Sequence, residues 1–327
     1  MTGAADYSAD ADAGIAGLQR RLTSEDPAVR RVAVLELADS SEESLLHAIL
    51  SILRHDPDPA LRAEAARALA GWDGDEVVEA LAAALRDELP VRGAAASSLT
   101  ELKDASAAAR LIPYAADPDA FVCASALRGL KELRLTAAAA PAMVALSHAE
   151  ATVRREAVGV LGWLKQAAAL PLLARTAVED ADAEVRRAAA GALGLAAPAN
   201  DAALVALRAA LRDAVWTVRE EAATTLGKFR DSGGAIVAAL RAAMADDYWQ
   251  VRLRAARSLG RLRDAQALPL LIEALLHPAG NLRKEAAIAL GEIGEATAVC
   301  ALEAAGADPD PEVRKAVRLA LQRLTSG

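Results

Sequence analysis

Apolar residues return along this chain at three- and four-residue spacing in short bursts, and each burst is broken by an acid, a proline or both. In one burst Ala265, Leu268, Leu271, Ile272 and Leu275 share a face, which predicts a helix ending near His277. Pro278 stops that helix, and a second one is expected to bury Leu282, Ala286, Ala289 and Leu290 before Gly291 closes it. The same helix, turn and helix recur throughout. Their most regular segment reads Val-Arg-x-x-Ala-x-x-x-Leu, as in Val185, Arg186, Ala189 and Leu193. Aligned on the arginine slot, the copies centre on Arg30, Arg62, Arg92, Cys123, Arg154, Arg186, Arg219, Arg252, Arg283 and Arg314, 30 to 33 residues apart. A period of that size predicts stacked helix pairs, each touching only its neighbours.

The turns carry their own chemistry. Asp26, Asp58, Asp119, Asp182 and Asp310 stand four residues before the slot, where a side-chain oxygen caps the free N–H groups of the second helix. Pro27, Pro59 and Pro311 follow at the first helical position, where a missing donor costs nothing. Gly162, Gly194, Gly227, Gly260 and Gly291 are expected as C-terminal stops, and Ser40 with Glu43 as a capping box.

The phrase Asp-Pro-x-Val-Arg-x-x-Ala-x-x-x-Leu-Gly resembles the short HEAT-like repeats named for phycobilisome lyases, over residues 14–324. The resemblance implies an all-α fold, a right-handed α-solenoid or superhelix of about ten HEAT-like helix-turn-helix repeats. It also implies a ladder between the turn aspartate and the second-helix arginine of neighbouring repeats, with the second helices on the concave side. A single array is expected over residues 14–327, preceded by a disordered acidic tail at 1–13.

Composition narrows the function. The 327 residues are 54% hydrophobic but only 3% aromatic, because alanine supplies much of the apolar share and lets helices approach closely. A net charge of −8 argues against nonspecific binding to nucleic acid, which needs clustered cations. Charged residues interrupt every apolar run short of a membrane span, and the acidic first residues are unlike a secretory leader, so a cytoplasmic protein is expected. Cys123 and Cys300 fall in different repeats, which excludes a disulfide framework.

Chemistry is therefore sought where the repeat departs from its own rule. Cys123 replaces an arginine and is a candidate reactive thiol beside its reading as a small core residue. Trp216 and Trp249 take the first helical position of repeats seven and eight, with Tyr248 adjacent, and Glu220, Arg254, Arg257 and Lys284 are expected on the exposed face nearby. Aromatics rimmed by mixed charge make a candidate partner-binding surface. His55, His148 and His277 end first helices, where they would satisfy terminal carbonyls. No histidine precedes a glutamate, the pairing with which HEAT-like deoxyhypusine hydroxylases hold iron, and neither a metal site nor a catalytic residue is assigned. The expected function is a non-enzymatic scaffold for another protein, without a cofactor. The alternative implied by the resemblance is a bilin lyase-like chaperone or maturation factor, echoed in the Asp-x-x-Trp-x-Val-Arg phrases Asp213 to Arg219 and Asp246 to Arg252. A bilin would be bound only in that case.

Overall fold

The computed structural model describes residues 16–38, 45–195, 201–229 and 234–325, and all regular structure among them is helical. The acidic tail at 1–13 and the capping box of Ser40 and Glu43 lie outside the described residues. The second helices of the ten repeats are α1 (Pro27–Ala38), α2 (Pro59–Ala68), α3 (Leu89–Ser98), α4 (Ala120–Leu130) and α5 (Ala151–Leu164), then α6 (Ala183–Leu193), α7 (Trp216–Leu226), α8 (Trp249–Arg261), α9 (Gly280–Ile293) and α10 (Pro311–Thr325). Every slot residue is the fourth residue of its helix. The chain forms two compact units, Met1–Leu164 with α1 to α5 and Lys165–Gly327 with α6 to α10.

Within each unit, consecutive second helices pack side by side and the first helices pack behind them. The repeat phrase explains why. The residue before the slot points inward from the second repeat on, from Leu61 and Val91 to Val251 and Val313, and so does the residue three beyond the slot, from Ala65 to Ala286. All of these are closed to solvent, and alanine at the second position keeps the helix axes near. Two buried hydroxyls tie neighbouring helices directly: Ser98 Oγ donates to the Ala66 carbonyl at 2.8 Å and Ser258 Oγ to that of Ala223 at 2.7 Å. Several first helices open with a 3₁₀ turn, such as Ala265–Ala267 ahead of Leu268–Ala274, where Pro269 cannot donate.

The turn aspartates cap as expected. Asp58 accepts from the Ala60 N–H, and Asp119 and Asp182 each accept two backbone N–H groups of the first turn. The glycine stops require correction. Gly162, Gly260 and Gly291 lie inside their helices, and Gly194 and Gly227 close theirs in right-handed geometry, so none supplies a left-handed turn. Left-handed residues come eleven beyond the slot instead, at Arg134, Lys165, Arg263 and Gly294. The repeated glycine serves proximity. A Cβ on Gly260 would stand 2.7 Å from Ala289 Cα, and one on Gly291 would stand 2.8 Å from Ala320 Cα.

Candidate functional site

Each of five slot arginines works in two directions. It donates to a carbonyl at the end of its own first helix, as Arg186 does to Asp180 and Arg219 to Asp213, which satisfies an acceptor the helix leaves open. It also reaches into the following repeat and grips an aspartate through two nitrogens. These rungs join Arg30 to Asp56, Arg62 to Asp87, Arg186 to Asp213, Arg219 to Asp246 and Arg283 to Asp308, with closest contacts of 2.6 to 2.7 Å. Arg92 does pair with a capping aspartate as the resemblance implied, Asp119 at 3.3 Å, but in these five rungs the acid is a different one. It stands two residues before the capping position, or one in the case of Asp87, and its second task is to accept a turn N–H, as Asp246 does from Tyr248 and Asp308 from Asp310.

The rungs are largely shielded, and their protonation equilibria follow. Burial opposes the charge on Asp246, but the hydrogen bond from Arg219 and the N–H of Tyr248 override it and hold the carboxyl below the ordinary aspartate range. At Asp308 the hydrogen bond from Arg283 is the largest influence and acts in the same direction.

The aromatic trio divides between two places. Trp216 and Tyr248 stack, with ring centroids 5.4 Å apart and planes 11° from parallel, and the guanidinium of Arg219 lies 5.6 Å from the Tyr248 ring. This pair covers the Arg219–Asp246 rung, although Tyr248 remains 45% exposed. Trp249 instead enters a groove of about 320 Å³ with Glu220, Leu253, Arg254, Arg257 and Lys284. Five of the seven candidate partner-binding residues therefore meet in one place, and Trp216 and Tyr248 stand outside it.

The groove's charges hold one another. Arg254 pairs with Glu220 at 2.9 Å, Arg257 with Glu285 at 2.6 Å, and Lys284 with Glu312 at 3.1 Å. Glu285 is almost closed to solvent, so the Arg257 pair forms a second rung between α8 and α9, repeated in the first unit by Arg128 and Glu156 at 3.0 Å. Four cations of repeats eight and nine, Arg254, Arg257, Arg283 and Lys284, are thus paired within the chain. The result is an apolar patch of Trp249 and Leu253 framed by ion pairs already in position.

Cys123 is 2% exposed, and its Sγ donates to the Ala115 carbonyl at 3.1 Å. Burial, with Asp117 nearby, pushes its thiol up, the direction opposite to that of a reactive thiolate. The histidines at repeats five and nine need a correction. His148 and His277 do not satisfy carbonyls with their rings: each Nδ1 accepts a turn N–H, from Glu150 and Ala279, at 3.0 Å. They occupy the place of the rung aspartate and take over its turn contact. Cys123 and His148 are thereby matched, since one repeat lacks the rung cation and the next lacks its acid.

Sequence reasoning missed the rung acids themselves. Asp56, Asp213, Asp246 and Asp308 recur six residues before the slot, and aligning that column would also have brought out His148 and His277. Among the described residues no group of three or more His, Cys, Asp or Glu side chains converges, and no helix is long and apolar enough to cross a membrane.

A family model described as HEAT repeats matches residues 46–131, 110–194, 176–247 and 236–322. None of the curated protein sequences compared matches the chain. Among solved structures, it is similar to an engineered protein at 22% identity and a TM-score of 0.53, covering 95% of this chain and 98% of that one. It is also similar to YibA of Escherichia coli at 19% identity and a TM-score of 0.56, over 90% and 96% of the two chains. Importin β matches at 16% identity and a TM-score of 0.62, over 94% of this chain and 50% of that one. At these identities the likeness is one of fold.

Proposed function

Since the chain belongs to the HEAT-repeat family, we propose that it is a non-catalytic scaffold which binds another protein along the second-helix face of repeats seven to nine. The observation that carries this reading is the groove at Trp249, where a half-buried apolar patch is framed by ion pairs that need no rearrangement to meet a partner. Tryptophan and arginine anchors surrounded by charged residues are the composition of binding hot spots, and preorganised side chains lower the entropy lost on association. The similarity in fold to Kap95, solved in a complex with Nup1, adds that such stacks accommodate protein ligands.

The bilin alternative draws on the Asp-x-x-Trp-x-Val-Arg phrases, and each of their residues already has a local task. Asp213 and Asp246 hold Arg186 and Arg219, Val218 and Val251 are core, and Trp216 stacks on Tyr248. The phrase therefore follows from the fold, and the scaffold reading stands ahead.

A photo-crosslinking amino acid tests the proposal. Placed at Trp249 in cells of the source organism, it should capture one major protein, and Lys284→Glu in the same chain should reduce that product. The same group at Val205, exposed on the first helix Asp201–Ala210, is the control. Equal capture at both positions would overturn the assignment.

A further inference from the structure

One rung is electrically incomplete. In repeat eight the arginine is present, but the acid position of repeat nine holds His277. Arg252 turns its Nε to the Asp246 carbonyl and an Nη to that of Asp247 and, among the described residues, forms no ion pair. Its surroundings offer no substitute. Asp246 is engaged by Arg219, Glu273 is exposed at the cavity edge, and Arg283 adds a further cation bound to Asp308. His277 contributes a donor: its Nδ1 accepts the Ala279 N–H, which leaves the proton of the neutral ring on Nε2. Burial, then the charges of Arg252 and Arg283, favour that neutral form.

Space opens at this rung. A cavity of about 350 Å³ is lined by Arg252, His277 and, at its edge, Glu273 on its polar side, and by Met244, Leu270, Ala274 and Leu276 on its apolar side. Leu276 is 86% exposed, so the apolar wall continues to the surface. Five other rungs in the chain fill the equivalent relation to arginine with a carboxylate.

We propose that this cavity is a ligand site for a carboxylate carried on a small branched apolar group, which binds Arg252 and His277 in place of the missing rung aspartate. The carboxylate completes the arginine's hydrogen bonds, as Asp246 does for Arg219, and the apolar group lies against Met244 and Leu270. The ligand class is defined by that pairing of chemistries, whether a free short-chain acid or a Leu-Glu segment of a polypeptide supplies it. The site is separate from the Trp249 groove and does not rest on the scaffold reading.

Titration of the full chain with isovalerate, isovaleramide and an end-blocked Leu-Glu dipeptide tests the site, read by chemical shifts of the His277 ring and the Met244 methyl. Saturable binding of either acid is expected, with the neutral amide about 10- to 100-fold weaker through loss of charge-assisted hydrogen bonds. Tighter binding of the dipeptide assigns a polypeptide source, and tighter binding of isovalerate assigns a free acid. Arg252→Met should abolish binding. His277→Asp provides a second variant that keeps the fold, because aspartate makes the same turn contact in other repeats. It restores the rung within the chain, so it should raise Tm and block both acids. Absence of saturable binding to the native chain would overturn the proposal, as would undiminished binding to His277→Asp.

Discussion

Arg219 and Asp246 show how one pair of side chains performs three tasks. The arginine closes the carbonyl end of one helix, the aspartate holds the turn of the next repeat, and the ion pair joins the two. Both side chains are mostly screened from water, and removing either leaves a charge that the site cannot solvate. Asp246→Ala is expected to cost about 3 kcal/mol, measured by urea unfolding. Acid should act through the same groups. The folded carboxyls of Asp87, Asp213, Asp246 and Asp308 are held below their ordinary range, so they bind protons less readily than in the unfolded chain. Their stabilisation is complete above the ordinary aspartate value of about 3.9 and is lost as pH falls below it. Tm should therefore be steady near neutrality and fall steeply below about pH 4, and Asp246→Ala should make that fall shallower. An unchanged acid slope in the variant would show that other groups control it.

At the scale of the helix, glycine has different meanings at different positions of the repeat. Gly260 in α8 faces the backbone of α9, where an added Cβ would collide with Ala289. Gly93 in α3 has nothing within 4 Å of the same point. Gly93→Ala should stabilise by about 0.5–1 kcal/mol, because alanine is the better helix former. Gly260→Ala gains the same preference but forces two helices apart, and overpacking of that kind costs about 1–3 kcal/mol, so the net change is expected to be destabilising. Thermal unfolding of the two variants should move in opposite directions. The left-handed positions are also a matter of the element. Arg134, Lys165 and Arg263 occupy a conformation that glycine adopts freely, as Gly294 does, and the chain places the glycine eight residues after the slot for helix contact instead.

Across each unit, stability comes from neighbours, and an end repeat protects the one before it. Leu282 and Leu290 are fully enclosed in α9, which lies against α10, and Gly291 touches Ala320. Truncation after Gly294 removes that cover and should cause self-association and loss of solubility, read by size-exclusion chromatography and light scattering. A truncated chain that stayed monomeric and fully helical would contradict nearest-neighbour stabilisation.

The helices, the turns and the repeat period were legible from the sequence, because helix formation and capping depend on residues within a few positions of one another. Val185, Arg186, Ala189 and Leu193 state their helix, and Asp182 states where it begins. The sequence likewise singled out Trp249, Arg254 and Arg257 as departures worth attention. It could not say that Arg254 and Arg257 are bound to Glu220 and Glu285, that Trp216 and Tyr248 shield a rung, or that Arg252 lacks one among the described residues. Those relations join residues some 25 to 35 positions apart, and they are decided by which helices the stack brings within hydrogen-bond reach. The sequence by itself determined the repeat and its local geometry. The tertiary structure decided which of these charges were satisfied by a neighbouring repeat and left Arg252 without an ion pair among the described residues.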